Sequence, residues 1–346
     1  MNRLRPDADD TRFIRRVVIL ILIAAMVVAL WKAGDLLILA FGSILGAIVI
    51  HAFADLYTRR LKLSQRAGLG LAFATVLAAA AFLVWLFGVQ FGQQVNALVL
   101  RLPSLLQQLG AYMSQTPVGA KIVDAVQAAF AGSRVARDIG GLVTGGGELI
   151  LNCLLLMVGA LFFAAEPKVY VHGLLLMVPK TIRPAISDAL SDVEHNLRLW
   201  LRAQLILMTT MGLLVGLGLW ISGVPSWAAL GLLAALSEFV PYIGPTAAML
   251  PALGLGAAVG TGPLVGALVT YAVVRLVQTN FITPYVQNRV IAIPPAVTLF
   301  VIIAIGMVFG LFGLFFSAAL LVVIFTLVRS LYLREVIGED VEIPKG

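Results

Sequence analysis

Glu238 stands three residues before the run Pro241-Tyr242-Ile243-Gly244-Pro245, inside an otherwise apolar stretch. Two prolines and a glycine in five residues cannot continue a helix. Pro241 and Pro245 each lack an N–H, and each biases the residue before it toward extended geometry. Unwound backbone in hydrocarbon is costly unless protein or water meets its polar groups. Pro241, Gly244 and Pro245 are therefore expected to form a helix break or gate, since broken helices mark substrate and ion sites in transporters. The alternative is a kink or hairpin turn that only reshapes packing. Glu238 falls in the last turn before the break, where the helix dipole presents partial negative charge. It is a candidate carrier of a proton or ion, or else a solvated carboxylate at headgroup level.

A second set of polar residues follows. Arg275, Gln278, Thr279 and Thr283 recur at helical spacing, with Tyr271 one turn earlier, while Asn280 falls off that face. Such a stripe should face a cavity or another helix rather than lipid. Arg275 could pair with Glu238, hold an anionic solute, or serve a purely structural ion pair. The segment TPYVQNRVIAIPP then brings Pro284, Asn288, Arg289, Pro294 and Pro295, and Pro284 and Pro295 are expected to bound a second break. Candidate solute or ion contacts are thus Glu238, Tyr242, Arg275, Gln278, Asn280 and Asn288. Enzyme signatures are missing. There is no HExxH, GxSxG or GxGD, His51, His172 and His195 lack metal-ligand spacing, and TGGGE lacks the GK[ST] of a phosphate loop. No catalytic residue, metal or cofactor is expected.

The elements that position these residues follow from composition. Of 346 residues, 61% are hydrophobic and 12% charged, with a mean hydropathy of +1.02. No soluble domain of this length could bury so much apolar side chain, which leaves an integral membrane protein. The expected fold is all-α, a polytopic transmembrane helical bundle of about eight spans with broken or re-entrant segments. A cytoplasmic tail (1–16) precedes spans one to three (17–89), and amphipathic extracytoplasmic or interfacial helices fill 90–146. Span four covers 147–166, and a cytoplasmic helical segment covers 167–203. Spans five to eight occupy 204–328, with breaks at 241–245 and 284–295, and a cytoplasmic tail covers 329–346. The net charge of +7 is explained by loop bias rather than by nucleic acid. That topology puts 17 of the 24 Lys and Arg on one face and 6 on the other. Both termini should then be cytoplasmic in a bacterial inner membrane.

Two blocks resemble a known family. LRLWLRAQLILMTTMGLLVGLGLWISGVPSWAALGLLAALSEFVPYIGPTAAMLPA is similar to the most diagnostic block of the autoinducer-2 exporter (AI-2E) family, through Arg202, Gln204, Gly218, Gly223, Pro225, Gly231, Pro241, Tyr242, Gly244, Pro245 and Pro251. QTNFITPYVQNRVIAIPPAVTLFVIIAIGMVFGLFGLFF is similar to its C-terminal block, through Gln278, Asn280, Pro284, Pro295, Gly306, Gly310 and Gly313. Gln287 and Asn288 depart from the glycine usual there. The resemblance implies a secondary transporter assembled as a homo-oligomer, a pentamer among the expected states. It implies export of a signalling sugar derivative, or exchange of sodium or another cation for protons. Expected partners are membrane lipids, a small polar solute and Na+ or H+. A competing expectation is a non-transporting scaffold that docks envelope proteins on 90–146.

Overall fold

A computed structural model describes residues 33–85, 147–287 and 294–337, with isolated positions between 17 and 28 and at 121. The expected N-terminal tail, most of the first span, nearly all of the 90–146 segment, Asn288, Arg289 and residues beyond 337 lie outside the described residues. Among the described residues every regular element is helical. Helix α1 spans Gly34–Leu61, α2 Gln65–Trp85 and α3 Gly147–Ala165. Next come α4 (Pro167–Leu176) and α5 (Arg183–Ile221). Helices α6 (Trp227–Ser237), α7 (Ile243–Val259) and α8 (Thr261–Val277) follow. A π-turn at Gln278–Ile282 joins α8 to α9 (Thr283–Gln287), and α10 (Pro295–Leu327) runs into a π segment at Val328–Ile337. Five of these rods are apolar and long enough to cross a membrane, six if the bent α3–α4 pair counts as one. The chain is an all-α polytopic membrane bundle.

Small residues set the packing. A Cβ on Gly42 or Gly46 of α1 would press on Leu156 or Ala160 of α3, so these helices run parallel and close. Ser43 lies at this contact, its single hydroxyl proton shared between the Leu39 carbonyl of its own helix at 2.9 Å and the Leu156 carbonyl of α3 at 3.1 Å. Gly212, Gly216 and Gly231 bring α5 and α6 to backbone contact in antiparallel sense. Gly218 against Thr270, and Gly266 against Ser222, set α8 antiparallel to α5. Three apolar cores result. One lies among α1, α2 and α3, around Ile50 and Ala160. One lies among α1, α5 and α10, around Trp200 and Phe316. One lies among α5 to α8, around Met211, Val215 and Tyr271.

Three expectations change. First, the segment expected as polar cytoplasmic helix and span five share one 39-residue helix, α5, about 58 Å long at 1.5 Å per residue. The hydrocarbon core is about 30 Å thick, so the polar first part of α5 projects beyond it. Second, the stretch 227–259 does not span. The first turns of α6 and the last turns of α7 both lie at the end of the bundle where α5 finishes. Gly216 there meets Trp227, and Gly256 meets Pro263 and Leu264 at the start of α8. The pair is a re-entrant hairpin whose tip is Glu238–Tyr242.

Third, the single eighth helix is two. Gly310 adopts φ 68° and ψ −150°. A Cβ on Gly313 would come within 2.8 Å of the Ile305 carbonyl oxygen. In a straight helix residues eight apart are about 12 Å apart, so α10 doubles back at Gly310, where only glycine adopts that backbone cheaply. One span lost and one gained leave the number of crossings at the expected parity. They also put Thr283–Gln287 and the start of α10 at the end of the bundle where α5 begins, opposite to the expected face.

Because Gly231 has the backbone of Gly212 and Gly216 against it, Gly231→Val should destabilise the bundle by about 1–3 kcal/mol. Gly70→Val, where a Cβ meets nothing within 4 Å, should leave it unchanged. Thermal unfolding of both in detergent checks the contrast.

Candidate functional site

The hairpin tip is built from local bonds. As α6 ends, the N–H groups of Glu238, Phe239 and Val240 turn to carbonyls three residues back, at 3.2, 3.2 and 3.0 Å. Pro241 has no N–H to satisfy. Tyr242 then takes φ 65° and ψ −52°, while Ile243 N–H donates to the Pro241 carbonyl at 2.7 Å. That is the rare γ-turn with positive φ, strained for a bulky residue by about 1–3 kcal/mol. Gly244 N–H closes the turn on the Val240 carbonyl at 3.0 Å. Any Cβ on Gly244 would overlap the Ser237 carbonyl oxygen, so glycine is the residue that lets the two arms meet. Pro245 sits in the first turn of α7, where a missing N–H costs nothing.

Neighbouring helices supply the rest. Gln204 on α5 donates Nε2 to the Glu238 backbone carbonyl at 2.6 Å, both groups buried. This bond meets an acceptor that the ended helix leaves open. The Glu238 side chain, 10% exposed, points its Oε1 at Arg275 Nη1 across 3.8 Å, and the arginine is 40% exposed. The second oxygen, Oε2, is buried without a hydrogen-bond partner. Gln278 is 1% exposed. Its amide interacts with the Glu238 carboxyl but stays outside hydrogen-bond geometry, so both its Nε2 and Oε1 are unmatched. Three buried polar atoms therefore converge without partners, a state proteins avoid unless something else completes it.

One wall is aromatic. Phe239 stacks on Phe315 at 4.2 Å and 8°, and meets Trp200 edge-on at 5.4 Å. Phe316 packs edge-on against both Phe239 and Phe315. The hairpin tip is thus tied to the second arm of α10. Tyr242 on the tip is 43% exposed and Arg275 is 40% exposed.

Of the expected contacts, Glu238, Arg275 and Gln278 come together, and Tyr242 lies at the tip's open edge. Asn280 does not join them. It is exposed and donates to the Leu276 carbonyl of its own helix at 2.8 Å. Thr279 also faces outward. Pro284 breaks nothing, because the π-turn before it widens the helix. Thr283 N–H reaches the Gln278 carbonyl five residues back, which spares the clash a proline makes with the carbonyl four residues earlier. Pro295 opens the first turn of α10. Asn288 lies outside the described residues. Gln204, absent from the expected contacts, carries the tip. Its signal was a lone amide opening an apolar run.

Comparison with known proteins bears on this arrangement. The family described as "AI-2E family transporter" matches residues 19–332. Two relatives from Bacillus subtilis (strain 168) are named "Putative transport protein YrrI" and "Putative transport protein YueF". YrrI is 26% identical over 138 residues, 40% of this chain and 39% of its own. YueF is 22% identical over 168 residues, 47% of this chain and 46% of its own. A transport protein of Thermotoga maritima, similarly named, is 26% identical over 157 residues, 45% of this chain and 47% of its own. The matched stretch spans less than half the length of each of these relatives.

Gln204→Leu leaves the buried Glu238 carbonyl without its donor, which costs about 1–3 kcal/mol. Its thermal unfolding temperature should fall, whereas that of Thr209→Val, whose exposed hydroxyl only bonds its own helix, should not.

Proposed function

The chain belongs to the AI-2E transporter family, and from that premise we propose that it is a secondary transporter that moves a small polar solute across a bacterial inner membrane by alternating access. The observation that carries this reading is the buried, half-paired carboxyl of Glu238 on a re-entrant tip. A second supporting feature is the unmatched Gln278 amide beside it. Glu238 Oε2 and Gln278 Oε1 can accept bonds, Gln278 Nε2 can donate one, and Arg275 can swing from Oε1 toward an anionic or hydroxyl oxygen. That donor and acceptor set suits a compact, hydroxyl-rich solute of the autoinducer-2 kind. Export is the direction implied by the family resemblance.

In this mechanism Arg275 holds the empty site by pairing with Glu238. Solute or a proton at the carboxyl weakens that pair, and the hairpin tip, already strained at Tyr242, is released to move. A proton on Glu238 then lets the unloaded tip return with no unpaired charge buried. Exchange of a cation for protons is the second reading, favoured by the two unmatched oxygens of Glu238 and Gln278. The protein works in this account as a homo-oligomer with both termini cytoplasmic, supported by the bias of Lys and Arg.

Reconstituted in vesicles, the wild type should move labelled solute in response to an imposed pH gradient. Glu238→Gln should lose at least about tenfold of that flux, roughly 1.4 kcal/mol in rate, with unchanged thermal unfolding. Equal flux in the variant removes Glu238 from the mechanism.

A further inference from the structure

Helix α4 leaves the end of α3 at 85°. Because α3 is apolar from Leu149 to Ala165 apart from Asn152 and packs alongside α1, it stands across the bilayer, and α4 runs along the bilayer plane. None of the residues in α4 is buried. Val169, Val171, Leu174, Leu176 and the following Met177 are 45–85% exposed. Tyr170 lies edge-on to Phe163 of α3 at 4.7 Å, which holds the elbow bent. A ten-residue helix this apolar is not stable against water on all sides. Around its axis, Lys168 and His172 share one face, four residues apart, while Tyr170, Leu174 and Met177 lie on the other.

Charge surrounds the elbow. Since α1 runs parallel to α3, the end of α1 with Arg59, Arg60 and Lys62, and the start of α2 with Arg66, lie at the same end of the bundle as α4. Lys180 and Arg183 follow α4 directly. Over 59–66 and 166–183 there are seven Lys and Arg and one acid, Glu166. Arg183 donates to the Val178 carbonyl at 3.1 Å, and its Nε has no partner. An apolar helix in the membrane plane, at the end of the bundle where these cations lie, has the two features that bind a negatively charged leaflet surface.

We propose that α4 is an interfacial helix that seats in the headgroup layer and binds anionic phospholipid through this basic collar. The apolar face lies against acyl chains, and the Lys168 and His172 face meets headgroups and water. The proposal rests on the membrane fold and not on the transport reading, so either can fail alone.

The test uses the full chain in phosphatidylcholine vesicles, with and without phosphatidylglycerol. Nitroxide labels are placed at Leu174→Cys, Met177→Cys, Lys168→Cys and His172→Cys in a Cys153→Ala background. Labels at 174 and 177 should collide with oxygen in preference to a water-soluble nickel complex, and those at 168 and 172 should do the reverse. Phosphatidylglycerol should raise the unfolding temperature of the wild type. Most of that rise should be lost in the triple variant Lys168→Gln, Lys180→Gln, Arg183→Gln, and part of it in Lys168→Gln alone. Labels at 174 and 177 shielded from both reagents would indicate a protein partner or a second copy and would overturn the proposal. So would labels there open to nickel, or a wild type indifferent to phosphatidylglycerol.

Discussion

Main chain deep in a bilayer survives only if each of its N–H and C=O groups finds a partner, and the fold of this chain is organised around two places where a helix ends and turns back. At the first, Glu238–Tyr242, the N–H groups fall back on carbonyls of the ending helix, a proline removes one donor, and Gln204 reaches from α5 to the Glu238 carbonyl. The aromatic wall fixes the depth. Phe239 packs on Phe316, and Phe316 covers Gly42 of α1. Gly42 is eight residues, about 12 Å, from the end of its helix.

At the second, Gly310 reverses α10 with a backbone that only glycine adopts without strain. The two reversals touch through the Phe239–Phe315 stack. One hairpin therefore cannot shift without repacking against the other. The polar contacts differ in kind. Gln204 is satisfied and holds the tip, whereas Glu238 and Gln278 are left with valences open to an occupant.

The apolar runs made the helices and their approximate limits legible, because roughly 20 residues must be apolar to cross lipid. The PYIGP break was legible because proline and glycine act locally. The choice between a broken span and a re-entrant hairpin was not. Whether a break kinks a span or reverses it depends on the close contact between Gly212, Gly216 and Gly231, set by tertiary packing. Gly310 was hidden for the same reason. Glycines spaced through an apolar run are compatible with a straight helix, and only the packing of Gly306 on Leu314 and Gly313 on Ile305 decides otherwise. At the site, helical spacing correctly grouped Arg275 with Gln278. It placed Thr279 on the same stripe, but the buried face runs through Tyr271, Val274 and Gln278, and Thr279 is exposed along with Asn280.

The central claim is that the tip of the first hairpin lies at membrane depth yet is reached by water and solute. The most direct measurement is labelling of Tyr242→Cys by a water-soluble maleimide in sealed vesicles, in a Cys153→Ala background. Leu213→Cys, 69% exposed on α5 but facing lipid in this account, serves as the comparison. Prompt labelling at 242 and none at 213 is the result expected. A cysteine at 242 as inert as the one at 213 would mean that the tip is sealed in hydrocarbon, and the transport site proposed around Glu238 would not exist.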